Sequence, residues 1–307
     1  MTKLRLLLYT SLVVLALAWL SSMLHARILD ISTPYPTVSE PVSAAGLSPA
    51  PADTIRVGVV SRFPSNVLYR GYQPLMDYLT SASDYYFELV TSRSYRATVL
   101  QLVSGEVDAA FLGSFIYADT RDLYPLVPVL KPLNADGEPF FRSVVVVKEG
   151  SGIASLSDLH NHRLALPSED SFSGNWLLSE SRNGPVLTAE TRARIGFLQH
   201  HHTVIYEVMR NNFDAGAVKD RVAQEFEGRG IRVIAKSAPV PGSPLVVAAG
   251  SREDELIALF SRLLLPLSPE VPEHRALLNS WDPEFRYGFS SALAGDYDHL
   301  LTHTAHE

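Results

Sequence analysis

Two serines flank an aromatic and precede a glycine at Ser171-Phe172-Ser173-Gly174, inside the run ALPSEDSFSGNW at 165–176. The apolar residues Leu164 to Leu166 stop at Pro167, and apolar spacing resumes at Trp176-Leu177-Leu178. The hydroxyls therefore fall where a strand ends and a helix begins. Backbone N–H groups left free at such a junction can hold an anion. The same residues also suit an ordinary helix cap, with a serine oxygen accepting from the backbone. Farther on, QHHHT places His200, His201 and His202 in succession. Consecutive residues do not share a helix face, and neither a cysteine nor a nearby carboxylate cluster completes a shell, so no metal is expected. A histidine at a helix start that donates to an anion, its charge varying near neutral pH, fits better.

Arginines offer the second kind of anion chemistry. Arg62 follows the first strand, at a carboxyl end where open α/β sheets bind ligands, and Arg221 lies on the predicted helix KDRVAQEFEG. Each is either a solvated surface cation or a planar fork aimed at an oxyanion. Catalysis has no comparable support. The chain contains no G-x-S-x-G, H-E-x-x-H or G-K-[ST] string, so neither an enzyme nor a cofactor is expected.

The elements that must position these residues alternate. TIRVGVV, YFELV and DAAFLG read as strands; between and after them SNVLYRGYQPLMDYLTS, SYRATVLQLVSG and SFIYADT read as helices. In the first helix Leu68, Tyr72, Leu75 and Leu79 share a face; in the second Ser94 is the predicted cap and Gly105 the stop. The middle third repeats the alternation with RLALP, IGFLQ, DAGAV and IRVIA as strands, which predicts an α/β fold with parallel sheets. RSVVVVKEG and SPLVVAAG border this block and read as chain crossings between two lobes; the final third is predicted helical. His160 and His162 read as surface turn residues, and Asp214 as structural.

Composition sets the compartment and the partners. The 307 residues carry a net charge of −7 and no cysteine, which argues against nucleic-acid binding and excludes disulfides, thiolate metal sites and a lipidated cysteine. Lys3 and Arg5 precede an apolar run over residues 6–24, so residues 1–27 read as a signal peptide or a signal anchor. Losing Lys3, Arg5 and Arg27 takes the balance from −7 to −10, so any bound anion is held by local geometry rather than a global field. Residues 28–53 form a linker in which Pro34, Pro36, Pro41, Pro49 and Pro51 favour extended chain, at about 3.1 Å per residue.

From Ile55 to about Tyr297 the order and spacing of these patterns resemble the phosphate, phosphite and phosphonate-binding periplasmic proteins of ABC transporters. IRVGVVSRFPSNVLYRGYQPLMDYL, SYRATVLQLVSGEVDAAFLGSFIYA, SLSDLHNHRLALPSEDSFSG and HHTVIYEVMRNNFDAGAV carry the resemblance, with His201 thirteen residues before Asp214. VPGSPLVV matches the return crossing. The resemblance implies a type 2 periplasmic-binding fold: lobe 1 from 54–145 plus 245–307, lobe 2 from 146–244, two crossover strands, and a ligand between the lobes. It implies binding roles for Ser171, Ser173, Gly174, Tyr95 and His201. Phe172 stands where the family's string has threonine, and Phe141 where members that bind aminoethylphosphonate have a second tyrosine. The two carboxylates that hold the amine there correspond to Arg221 and Ser243. An amine-free phosphonate, phosphite or phosphate is thus the expected ligand.

Two functions follow. The chain captures a small oxyanion and delivers it to an ABC permease for uptake in the periplasm. Alternatively, anchored in the inner membrane by residues 6–24, it reports ligand to a membrane sensor protein. Replacing Ser173 and His201 together by alanine is expected to weaken binding with little change in the stability of the ligand-free form.

Overall fold

The computed structural model describes residues 53–180 and 188–300. The apolar segment 1–27 and all of the linker but Asp53 lie outside the described residues. Among the described residues no helix is long and apolar enough to cross a membrane.

The first half runs β1 (Thr54–Val59), α1 (Ser65–Ser81), β2 (Tyr86–Thr91), α2 (Tyr95–Val103), β3 (Ala109–Phe111), α3 (Ser114–Arg121) and β4 (Leu126–Pro132). The short β5 (Phe140–Phe141) leads into β6 (Ser143–Lys148), β7 (Leu164–Leu166), α4 (Phe172–Glu180), α5 (Ala189–Arg192), β8 (Ile195–Phe197), α6 (His201–Met209), β9 (Ala215–Lys219), α7 (Asp220–Gln224) and β10 (Ile231–Lys236). The chain returns through β11 (Val240–Pro241), β12 (Leu245–Ala248), α8 (Glu253–Leu264), α9 (Pro272–Asn279) and β13 (Phe289–Ser291).

These strands form two principal sheets, ordered β13-β4-β12-β3-β1-β2 and β10-β6-β9-β7-β8. Each has a parallel trio, β3-β1-β2 in one and β9-β7-β8 in the other. Antiparallel strands complete each sheet. The local chemistry follows the pattern. Leu68, Tyr72, Leu75 and Leu79 of α1 are buried on one face, joined by Met76. Ser94 caps α2 by accepting from Ala97 N–H, and Gly105 ends it at a positive φ of 74°. Helices cover both faces of each sheet, which gives each lobe two apolar clusters.

The crossings differ from the expectation. Strand β6, read in RSVVVVKEG, pairs with β9 from Ser143 to Val147, so Ser143 to Val145 already belong to the five-stranded sheet. Strand β12 lies between β3 and β4 in the other sheet. The crossing pair is the short ribbon just before each run, where Val240 and Pro241 pair antiparallel with Phe141 and Phe140. Lobe 1 anchors that ribbon: Ser114 donates to the Pro241 carbonyl at 2.6 Å and the Tyr297 hydroxyl to the Gly242 carbonyl at 2.9 Å.

Candidate functional site

Parallel strands of an open sheet present their carboxyl ends to ligand. In one lobe those ends lead to Ser61-Arg62 after β1 and to Tyr95 after β2; in the other they lead to Pro167–Ser173 after β7, to His200-His201 after β8, and to Lys219 at the end of β9. The two sets meet along one seam. Phe63 packs on His202 with centroids 5.2 Å apart, and Phe141 meets Phe172 edge to face at 5.7 Å. Arg96 bridges Asp119 of its own lobe and Asp170 of the other, both at 3.0 Å. A cavity of about 540 Å³ opens on one flank of the seam beside Tyr95, Ser168 and Asn175. A second, of about 460 Å³, opens beside Phe141, Lys219, Arg221 and Glu284.

The helix start at α4 divides the two serines. Ser171 Oγ accepts from Gly174 N–H at 3.1 Å and donates to the Ser168 carbonyl at 2.7 Å, so its one proton is spent within the turn. In this structure its hydroxyl caps the turn. Ser173 is 1% exposed and its hydroxyl has no partner. The N–H groups of Phe172 and Ser173, as the first of the helix, have no acceptor inside it. Gly174 is required by close approach: a Cβ there would lie 2.0 Å from the Ser168 carbonyl oxygen. Phe172 packs against the apolar clusters of both lobes.

The three histidines of QHHHT take separate partners. His200 faces the backbone of Ser61 and Arg62. His202 meets Glu225 at 3.0 Å. His201 is buried, and its Nδ1 accepts from Lys219 N–H at 3.2 Å, which leaves the proton on Nε2. Burial, reinforced by the nearby cations of Lys219 and Arg62, pushes its pKa well below the ordinary histidine value. The expected change of charge near neutral pH is thus overturned: the ring is a neutral donor there.

Arg62 is buried in the seam rather than solvated. Its Nη1 donates to Glu284 and its Nη2 to the Tyr72 hydroxyl, with Asp282 3.7 Å away, while Nε has no partner. Tyr95 is likewise buried, and desolvation pushes its phenol pKa above the ordinary range even beside Arg62. Arg221 pairs with Glu225 at 3.0 Å and stands 3.9 Å from Asp282; its Nε is also buried without a partner. Ser243 is half-buried in the return crossing and lines neither cavity. The sequence gives no site role to Lys219, Asp282 or Glu284, and Tyr72 reads there only as a core residue of α1. Lys219 donates to Glu284 and sits 4.1 Å from the centre of the Phe141 ring. Lys219 follows the positional rule that singled out Arg62, so the end of DAGAVK signals it. The pair Asp282 and Glu284 comes from a turn more than sixty residues later, with no local signature. Away from the seam, Asp214 pairs with Arg163 at 2.8 Å and His162 at 3.4 Å, in keeping with a structural role.

Comparison with solved structures places this architecture. A binding protein component of an ABC phosphonate transporter from Pseudomonas aeruginosa superposes with a TM-score of 0.70 at 18% identity, covering 82% of this chain and 85% of its own. The Prochlorococcus marinus protein PhnD1, in complex with methylphosphonate, gives 0.71 at 18%, covering 82% and 97%. A Xanthomonas citri protein bound to ATP gives 0.62 at 20%, covering 82% and 99%. At these identities the likeness establishes the fold, the two-lobed type 2 periplasmic-binding architecture. The family model for the periplasmic substrate-binding protein of the phosphonate ABC transporter matches residues 57–297. That span takes in both sheets and the seam between them, and the chain belongs to this family of periplasmic transport proteins, which bind a solute rather than transform it.

Proposed function

We infer that the seam captures a small tetrahedral oxyanion, a phosphonate, phosphite or phosphate, and that the lobes carry it to an ABC permease. The observation that carries this reading is the buried, unpartnered hydroxyl of Ser173 at the first turn of α4. A buried polar group is almost always hydrogen-bonded, so an orphan donor at a helix N-terminus is a place prepared for an anion. The Nε groups of Arg62 and Arg221, also buried and unpartnered, belong to the same seam. Neutral His201, with Nε2–H, adds a donor, and Tyr95 lines the neighbouring cavity. The relative crystallised with methylphosphonate supports the phosphorus oxyanion. The apolar run at 6–24 and the proline-rich linker favour retention at the inner membrane, where the same closure would serve a membrane sensor.

Titration calorimetry with phosphate, phosphite, methylphosphonate and 2-aminoethylphosphonate tests the reading. Tightest binding is expected for an amine-free ligand, because Arg221 and Ser243 stand where amine-holding carboxylates are needed. Tightest binding of 2-aminoethylphosphonate would reverse the ligand assignment, and binding of none of the four would end the oxyanion reading.

A further inference from the structure

The cleft already holds a carboxylate of its own. Glu284 is 5% exposed and fixed to lobe 1 from both sides. Its N–H donates to Asp282 Oδ1 at 2.9 Å, and Asp282 N–H donates in turn to the Gly71 carbonyl at 2.8 Å. The next residue, Phe285, is locked between Tyr72, Phe111 and Phe289, at centroid distances of 5.2, 5.0 and 5.2 Å. One carboxylate oxygen accepts from Arg62 of the same lobe and the other from Lys219 of the opposite lobe. The three side chains are 4%, 7% and 10% exposed for Glu284, Arg62 and Lys219, so water contributes little to neutralising them. The backbone that carries the carboxylate is thus held in lobe 1, and its two oxygens are held by Arg62 and Lys219.

An oxyanion that reaches the unpartnered Nε of Arg62 lands on a guanidinium whose Nη1 already serves Glu284. The two anions then share one cation in a dry seam, where like charges repel strongly. Resting on the oxyanion reading above, we propose that Glu284 is a specificity-determining internal counter-ion: it lowers the affinity of the cleft for oxyanions, most of all for dianions, by holding Arg62 and Lys219 in advance. Lys219 is in this view a binding cation that the ligand must share with Glu284.

The test compares methylphosphonate, largely dianionic at about pH 8.5, with methanesulfonate, its monoanionic isostere, by calorimetry on the wild type, Glu284→Gln and Lys219→Met. Glu284→Gln is expected to tighten methylphosphonate at least tenfold and methanesulfonate by a smaller factor, and Lys219→Met to weaken methylphosphonate at least tenfold. Because Glu284→Gln leaves two buried cations short of a partner, the double variant Lys219→Met/Glu284→Gln provides a second arm with one charge of each sign removed. It is expected to bind methylphosphonate more tightly than Lys219→Met alone. If the wild type binds while Glu284→Gln leaves both ligands unchanged or weaker, or the double variant is no tighter than Lys219→Met, the counter-ion role is wrong and the oxyanion reading stands. If the wild type binds neither ligand nor phosphate nor phosphite, the oxyanion reading fails and takes this proposal with it.

Discussion

Replacing Ser173 by alanine separates a binding hydroxyl from a structural one, because the two roles predict effects of different sign. A buried hydroxyl without a partner costs the folded state about 1–3 kcal/mol. Ser173 is 1% exposed and its Oγ accepts and donates nothing, so alanine removes that cost and leaves a void of one oxygen atom. Thermal stability of the ligand-free form should hold or rise by up to about 2 kcal/mol; for a domain of this size that is about 2–4 °C in Tm per kcal/mol. A hydrogen bond to a charged group is worth about 1.5–3 kcal/mol, so the Kd for methylphosphonate should weaken roughly 10- to 150-fold. Differential scanning calorimetry and titration calorimetry on one preparation give both numbers. A variant that loses more than about 1 kcal/mol of stability and binds as the wild type does would refute the argument. His201 supplies the contrast. Its Nδ1 accepts the buried N–H of Lys219, so His201→Ala orphans that group and opens a cavity, at about 2–4 kcal/mol of stability. The double alanine variant should therefore destabilise the ligand-free form, where the sequence alone leads one to expect little change.

Gly174→Ala should destabilise by about 2–4 kcal/mol in urea unfolding and weaken oxyanion binding at least tenfold, since a Cβ 2.0 Å from the Ser168 carbonyl must push apart the turn that Ser171 caps. Asp214 gives a pH signature independent of ligand. Burial raises its pKa, but hydrogen bonds from the Arg163 side chain and backbone outweigh this and hold it at about 2. A depressed carboxylate stabilises fully above its unfolded value near 4 and loses that stabilisation as pH falls towards 2. Asp214→Asn should cost about 2 kcal/mol at pH 7, with wild type and variant converging near pH 2; a gap that stays constant with pH would show that the loss is not electrostatic.

Much of the fold was legible because local and global signals agreed. The buried face of α1, the cap at Ser94 and the stop at Gly105 each follow from side chains a few residues apart. Strand β4 is absent from the sequence reading; its prolines are accommodated where Pro128 pairs opposite Val246, at the register shift, and Pro132 ends the strand. Glu284 and Asp282 reach the seam from a distant turn, and no short-range pattern encodes that meeting. Nor does sequence distinguish the hydroxyls of Ser171 and Ser173. Which is spent depends on how the Ser168 carbonyl folds back over the helix start.

Two departures from the family pattern that sequence presents separately are one contact in the fold. The resemblance leads one to expect hydroxyls at positions 172 and 141, and both are phenylalanine. Phe172 begins α4 and Phe141 ends the crossing ribbon, and their rings meet edge to face at 85° across the seam. Such a pair is worth about 0.5–1.5 kcal/mol beyond the area it buries, so each substitution gains from the other. Phe141 also presents its face to the Lys219 ammonium. Two hydroxyls that could have bonded a ligand are thereby exchanged for an apolar wall that helps hold the lobes together and steadies a buried cation. In the proposed site, recognition of an oxyanion would then fall to fewer and more strongly placed donors: Ser173, the first amides of α4, Arg62, His201 and the Lys219 that Glu284 holds.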